Sequence, residues 1–296
     1  MLNISIGSGK YVIAVSGGVD SVVLLDLLSK RADLELIVVH LDHGIRPESE
    51  SDEWFVAGLA THYKCDYYSK RVELGGLASE QLAREARYDY LREIRALTGA
   101  AAIITGHHYD DVLETAVINL VRGTGRRGIT SLKSTEEIIR PLLGMTKKDI
   151  LGYANQHGLQ WREDSTNTDA RYLRNRVRLE LLPRLHPEQK HALEQLIAKL
   201  KDLNTQIDQN LQEYLTHKSH KWERTIYSRS WFNALPHRFA CEIVHYWFAE
   251  NRLHEYDEKL VNYTTVKLKT LRPGKKVILS STSYIDLTKR SIRLHI

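Results

Sequence analysis

The sequence predicts an α/β protein in which a doubly wound parallel sheet is followed by a helical linker and a small α+β domain. Three observations carry this. Short apolar runs at Val12–Val15, Glu35–Leu41 and Ala101–Gly106 alternate with stretches whose apolar residues recur at helical spacing, the rhythm of strand–helix–strand units. Turn residues follow each run, and the runs are nearly continuous in apolar character, as strands covered on both faces are. Beyond Pro187 the rhythm stops, giving way to one long helical stripe and then to short strands in the tail.

Taken in order, Val12–Val15 is the first strand, Ser16-Gly17-Gly18 a turn, and VDSVVLLDLLSK the first helix. Glu35–Leu41 is the second strand, and Pro47 and Ser49 open a helix, with Ser49 as N-cap and Asp52 three residues on. Cys65–Val72 is a third strand, Glu80–Leu97 a helix, Ala101–Gly106 a fourth strand and Asp110–Val121 a helix. A short strand at Ile138–Leu142 precedes a helix over Thr146–His157. Residues 1–186 therefore form one domain. A linker helix follows over 187–218, with Leu193, Leu196, Leu200, Leu203, Ile207, Leu211 and Tyr214 along one packed face. In the small domain, 219–296, WERTIYSRSWF is read as extended, NALPHRFACEIVHYWFAE and Asp257–Thr270 as helical, and the tail as strands in which Ile292, Leu294 and Ile296 alternate.

Composition narrows the class of function. With 296 residues, 42% hydrophobic and 27% charged, the chain is an ordinary globular protein, and a formal charge of +5 is informative only where it clusters. Cys65 and Cys241 form no CxxC, so neither a disulfide framework nor a metal knuckle is expected, which fits a reducing cytoplasm. No apolar run reaches the roughly 20 residues of a membrane span, and the first core strand comes too early for a signal peptide.

The chemistry begins at SGGVDS, residues 16–21. A glycine turn between a buried strand and a helix start leaves backbone N–H groups beside the positive end of the helix dipole, a seat for phosphate. Ser16, Gly17, Gly18, Val19, Asp20 and Ser21 are the candidate phosphate ligands. The loop has no lysine after its glycines, as a Walker loop would, and no third glycine at dinucleotide spacing. Read alone, it could equally be a tight connection, with Asp20 an acid of a helix's first turn. GHHYDDVLET, residues 106–115, falls at the end of the fourth strand, opposite that loop in a doubly wound sheet, and puts Asp111 and Glu114 on one helix face. A capping box, with His107 and His108 as satisfied polar residues, is the plain alternative. Arg122, Arg126 and Arg127 flank the glycines of RGTGRRG. Arg171, Arg174, Arg176, Arg178 and Arg184 face a single acid, Glu180, and are either a solvated face or a phosphate track.

SGGVDS resembles the loop of ATP pyrophosphatases, which adenylate a substrate and release pyrophosphate. In order and approximate spacing, SGGVDS, HLDHGIRPES, EQLAREARYDYL, GHHYDDVLET, RGTGRRGITSL, IRPLL, EDSTN and RNRVR resemble the tRNA(Ile)-lysidine synthetases, PP-loop ATPases with a Rossmann-like sheet. The resemblance covers about residues 11–183 and is weaker beyond; the chain resembles a short form. It implies a ligase that uses ATP and Mg²⁺ to adenylate C2 of the wobble cytidine, position 34, in a CAU-anticodon tRNA(Ile). The ε-amine of free L-lysine then displaces AMP, forming a carbon–nitrogen bond. Carried over by residue, Ser16–Ser21 hold ATP, with Asp20 at the phosphates and Mg²⁺. Asp111 and Glu114 take lysine's ammonium groups, and Arg87 its carboxylate. Asp20, Asp111 and His107 are catalytic candidates, His107 for proton movement. Arg122, Arg126, Arg127, Arg174 and Arg178 contact tRNA, with Asp164 and Asn167 ordering the entry to that helix. A homodimer is compatible with the resemblance. The rival readings are a tRNA thiolase, against which the cysteine count speaks, and a nucleotide-binding module without catalysis.

Overall fold

A computed structural model of the chain describes residues 6–42, 49–73, 80–163, 173–217, 221–223, 225–251, 253 and 256–296. Its residues gather into two compact units, Met1–Gly123 with Gly128–Gln195, and Thr124–Arg127 with Leu196–Ile296.

The first unit contains β1 (Gly9–Ala14), α1 (Val19–Ser29), β2 (Leu34–Asp42), α2 (Ser49–His62), β3 (Asp66–Arg71), α3 (Glu80–Thr98), β4 (Ala102–Ile104) and α4 (Tyr109–Val121). After α5 (Arg126–Ile129) come β5 (Ile138–Ile139) and α6 (Lys147–Gln156). The strands form a parallel sheet in the order β3-β2-β1-β4-β5. Its continuous apolar character has a direct cause. Val12, Ile37, Val39 and Ile103 face one core with Tyr88, Leu91 and Ile94 of α3. Their neighbours Ile13, Val38 and Ile104 face a second core with residues of α1, α2 and α6, so both faces are covered.

The chain steps from β1 outward to β2 and β3, then returns across to β4 on the other side of β1. The β1 and β4 carboxyl ends therefore flank the switch point, where loops diverge and a ligand can enter. The strand expected over Ile138–Leu142 stops at Ile139, because Pro141 has no N–H for the ladder and instead opens a 3₁₀ turn, Pro141–Gly144. Thr146 is the N-cap of α6, accepting from the Asp149 N–H while the Asp149 carboxylate accepts from the Thr146 N–H.

Further along lie α7 (Leu173–Arg176), a π-helical turn at Val177–Leu181, and α8 (Pro187–His217). The stripe read along α8 is not buried throughout. Leu211 and Leu215, with Ile207 and Tyr214, enter the core of the second unit, whereas Leu196 and Leu203 are 48% and 45% exposed and Ile197 is buried between them.

The second unit adds β6 (Lys221–Glu223), β7 (Ile226–Ser228), α9 (Arg229–Ala234), α10 (His237–Glu250), α11 (Glu258–Thr270), β8 (Lys276–Ile278), β9 (Tyr284–Leu287) and β10 (Ser291–His295). These strands make an antiparallel sheet in the order β6-β7-β10-β9-β8, packed against Phe232, Trp247 and Phe248. The extended reading of residues 222–232 ends early: the Ser228 side chain caps α9, so Trp231 and Phe232 are helical. Ile292 and Leu294 face the core, but Ile296 lies past the end of β10 and is 62% exposed.

Candidate active site

At the switch point a cleft of about 400 Å³ is lined by Ser16, Asp20, Ser21, Arg87, His107 and Asp111, among others. Gly17 has φ +87°, a left-handed conformation open to glycine, and this turns the chain out of β1. Ser21 knits the loop: its hydroxyl donates to the Gly18 carbonyl at 2.8 Å and accepts the Ser16 N–H at 3.2 Å. Gly18 is the N-cap of α1. Val19 is buried, so its side chain belongs to the core and only its backbone can serve a ligand. From the other strand end, Gly106 lies against the loop; a Cβ there would stand 3.2 Å from the Asp20 carbonyl carbon and 3.3 Å from the Ser21 nitrogen. Glycine at 106 is what lets the two loops close on one cleft.

Asp20 is not a lone acid. Both its oxygens accept from Lys147 Nζ, at 2.7 and 2.8 Å. Lys147 is the first residue of α6, and its backbone N–H donates to Asp110 Oδ2 at 2.7 Å. Beneath this pair sits the buried His108 imidazole, 3.8 Å from Asp20, 3.6 Å from Asp110 and 3.6 Å from Asp111. Burial opposes its charge, but the three carboxylates outweigh it and His108 is more basic than an ordinary histidine. His108 in turn holds Asp110 down at about 2, with help from the Lys147 N–H.

His107 behaves oppositely. Its Nδ1 lies 2.8 Å from Thr105 Oγ1, and burial pushes it down to about 3, so it is a neutral imidazole. Asp111 Oδ2 accepts the His108 N–H at 2.9 Å, capping α4. The cap thus runs from His108 to Asp111, and Glu114 takes no part in it. Instead Glu114, its side chain 2% exposed, receives Arg178 in a two-point pair: Nε to Oε1 at 2.6 Å and Nη2 to Oε2 at 3.0 Å. Arg178 Nη2 is also 3.5 Å from Asp111 Oδ1, and Arg174 Nε is 3.7 Å from Glu114 Oε2. Burial raises the Glu114 carboxyl even though Arg178 pulls the other way. The acid pair and two arginines that the sequence presents as separate sets form one cluster.

Arg122, the C-cap of α4, is exposed. Arg126 and Arg127 are held within the second unit: Arg126 Nη2 donates to Glu242 Oε2 at 2.6 Å, and Arg127 Nη2 donates to Asp208 Oδ1 at 2.6 Å. Asp164, Asn167 and Arg171 lie outside the described residues, as do His43 and Gly44 of the HLDHG segment. Lys147 escaped the sequence reading, although a signal was present. A cation in the first turn of a helix opposes the dipole, and TKKD places two there.

A model of the PP-loop domain matches residues 2–185. The chain belongs to the PP-loop family. Among PP-loop relatives, it is 42% identical over 192 residues to a tRNA(Ile)-lysidine synthase of Thermus thermophilus, covering 62% of this chain and 37% of that one. It is 34% identical over 233 residues to one of Thermotoga sp., covering 74% and 55%. The chain thus spans about half or less of the length of these relatives. The PP-loop fold is shared with the U34-tRNA thiolase NcsA of Methanococcus maripaludis at a TM-score of 0.52 and 19% identity, over 66% of this chain and 71% of that one. No helix among the described residues is long and apolar enough to cross a membrane.

Proposed function

We propose that the protein is a tRNA(Ile)-lysidine synthetase, a ligase that joins lysine to C2 of the wobble cytidine in a CAU-anticodon tRNA(Ile), with AMP and pyrophosphate released from ATP. The observation that carries this reading is that the glycine loop, Asp111 and Arg87 open on one cleft, so a nucleotide and a diamino acid can be held face to face. The named relatives support the same reading.

In this proposal the Ser16–Ser21 backbone and hydroxyls seat the ATP phosphates. Among the described residues no group of three or more acidic, histidine or cysteine side chains could hold a metal by itself, while Asp20 lies at the loop, which fits an ion bound by one carboxylate and substrate phosphates. Mg²⁺ held there would neutralise phosphate charge. Arg87 pairs with the lysine carboxylate in the fork geometry suited to it. Asp111, whose Oδ2 is committed to the cap, takes an ammonium on Oδ1, which it shares with Arg178 Nη2 at 3.5 Å, and Glu114 fixes that arginine in place. His107 is too weak a base to hold the amine's proton, so its role is to hydrogen-bond the amine as it attacks. Arg122, exposed at the end of α4, is the proposed tRNA contact; Arg126, Arg127, Arg174 and Arg178, which the resemblance offers for the same role, each face a carboxylate of the fold, Glu242, Asp208 or Glu114.

The test is to incubate the chain with Mg-ATP, lysine and a tRNA(Ile) transcript bearing CAU, then digest and weigh the products. One cytidine should gain lysine less water, with one AMP per adduct. Sulfur incorporation in place of lysine would instead make it a thiolase, and no tRNA-dependent AMP at all would overturn the reading.

A further inference from the structure

His107 lines the cleft as a neutral imidazole, and a neutral imidazole has two forms that do opposite things. With its proton on Nε2 the ring donates into the cleft; with the proton on Nδ1 it accepts there. An amine that attacks a carbon must keep its lone pair for that carbon, so the ring can serve it only by accepting one of its N–H groups. We propose that Thr105 is the positioning residue that selects this form: its hydroxyl accepts the Nδ1 proton and leaves Nε2 bare toward the attacking amine. This rests on the lysine-ligating reading above and adds to it the residue that fixes how His107 acts.

Thr105 Oγ1 lies 2.8 Å from His107 Nδ1, which commits that nitrogen and leaves Nε2 for the cleft. The hydroxyl sits on a rigid support. Thr105 directly follows β4 and is buried, and its N–H donates to the Ile139 carbonyl of β5 at 3.1 Å, so the sheet holds its main chain. Its branched side chain has few rotamers to choose among. Thr105 also lines the cleft, so its own hydroxyl proton can turn to water or a ligand when Oγ1 accepts from the ring, and no buried donor is left unpaired. The ring stays neutral throughout. Burial opposes its protonation more than Asp111 favours it, and Arg140, Arg84 and Arg174 oppose it further. A hydroxyl suits this position better than a carboxylate would. A carboxylate at Nδ1 would orient the ring but also draw a second proton onto it, and an imidazolium has no bare nitrogen.

The step this serves is the displacement of AMP by lysine. The lysine Nε forms a bond to C2 of the cytidine, the bond from C2 to the adenylated oxygen breaks, and its electron pair leaves on AMP. His107 Nε2 holds one N–H of the amine and so aims the lone pair at C2. The surplus proton passes to solvent as the product forms, because the ring is too weak a base to keep it.

The test reads the tautomer directly. Two-bond proton–nitrogen NMR correlations of the full chain, labelled with ¹⁵N at histidine, distinguish a protonated ring nitrogen from a bare one, and the signals lost in His107→Gln belong to His107. In the wild type Nδ1 should carry the proton; a proton on Nε2 overturns the proposal, whatever the activity. Thr105→Val should move the proton toward Nε2, and Thr105→Ser should keep it on Nδ1. With Mg-ATP, lysine and the tRNA(Ile) transcript, Thr105→Val should lower kcat for adduct formation about tenfold, the scale of one hydrogen bond, with the lysine KM and single-turnover pyrophosphate release within about twofold. Thr105→Ser should recover most of the loss. In the His107→Gln background Thr105→Val should cost nothing further; an undiminished loss there means that Thr105 acts apart from His107 and overturns the proposal. If Thr105→Val does not fold, the wild-type and Thr105→Ser spectra decide. A wild-type chain that makes no lysine adduct removes the ligase reading and this role with it, whereas the wrong tautomer in an active chain removes only the role of Thr105.

Discussion

Asp20 and Glu114 are carboxylates placed near neighbouring strand ends of one sheet, and each pairs with a basic side chain from much later in the chain. Their surroundings differ. Asp20 and Lys147 are 30% and 40% exposed, so water screens both charges and the pair can open toward a ligand at little cost. Glu114 is 2% exposed and depends on Arg178 to remain charged where it is. The first pair suits exchange with a substrate. The second is a strut that orients the face of α4 beside the cleft, and its loss is felt by the fold.

The contrast is broken most forcefully by Arg178→Ala, which leaves the Glu114 charge buried with only the more distant Arg174 nearby. The expected loss is about 3 kcal/mol, or roughly 6–12 °C in melting temperature for a unit of this size. Asp20→Asn should cost less than about 1 kcal/mol. The Arg178→Ala deficit should shrink as pH falls through the raised Glu114 pKa, because a protonated Glu114 no longer carries a buried charge. Denaturant melts at several pH values measure both; equal costs for the two variants would erase the distinction.

A smaller effect separates the arginines of RGTGRRG. Arg126 is tied to Glu242, so Arg126→Ala should lose roughly 1–2 kcal/mol of stability. Arg122 is exposed, and Arg122→Ala should leave the melt unchanged while lowering the slope of log tRNA affinity against log salt by up to about 1. Filter binding over a salt series checks it. A stable Arg126→Ala variant with a reduced slope would make Arg126 a phosphate contact in place of a tie within the second unit.

The smallest effect is a pH dependence. His108 is raised and Asp110 lowered, so their attraction is fully present between the ordinary pKa values of the two groups, roughly 4 to 6.5. It fades as pH rises through the His108 value and again as pH falls toward 2, where Asp110 takes a proton. Asp110→Asn should bring the His108 pKa down in an NMR titration and flatten that part of the stability profile. An unmoved His108 would mean that Asp20 and Asp111 alone hold it.

What the sequence determined by itself about this protein is what neighbours in the chain can enforce. Gly17 turns the strand because glycine adopts a positive φ without strain, and Ser21 closes the loop within five residues. Thr146 with Asp149, and Asp257 with the Leu260 N–H, start their helices by local hydrogen bonds. Runs such as Val12–Val15 announce strands buried on both faces, and from these the sheet, its switch point and the place of the cleft follow. Which charges meet was settled only in the tertiary structure. Arg178 reaches Glu114 across 64 residues and Lys147 reaches Asp20 across 127, and nothing in the local pattern of either member names its partner. The same arginines and acids read equally well as a solvated face, a phosphate track or a capping box. Packing of α6 against α1, and of α7 and the π-helical turn against α4, selects among these, because burial decides which charge must be paired by the fold and which is left to pair with a substrate.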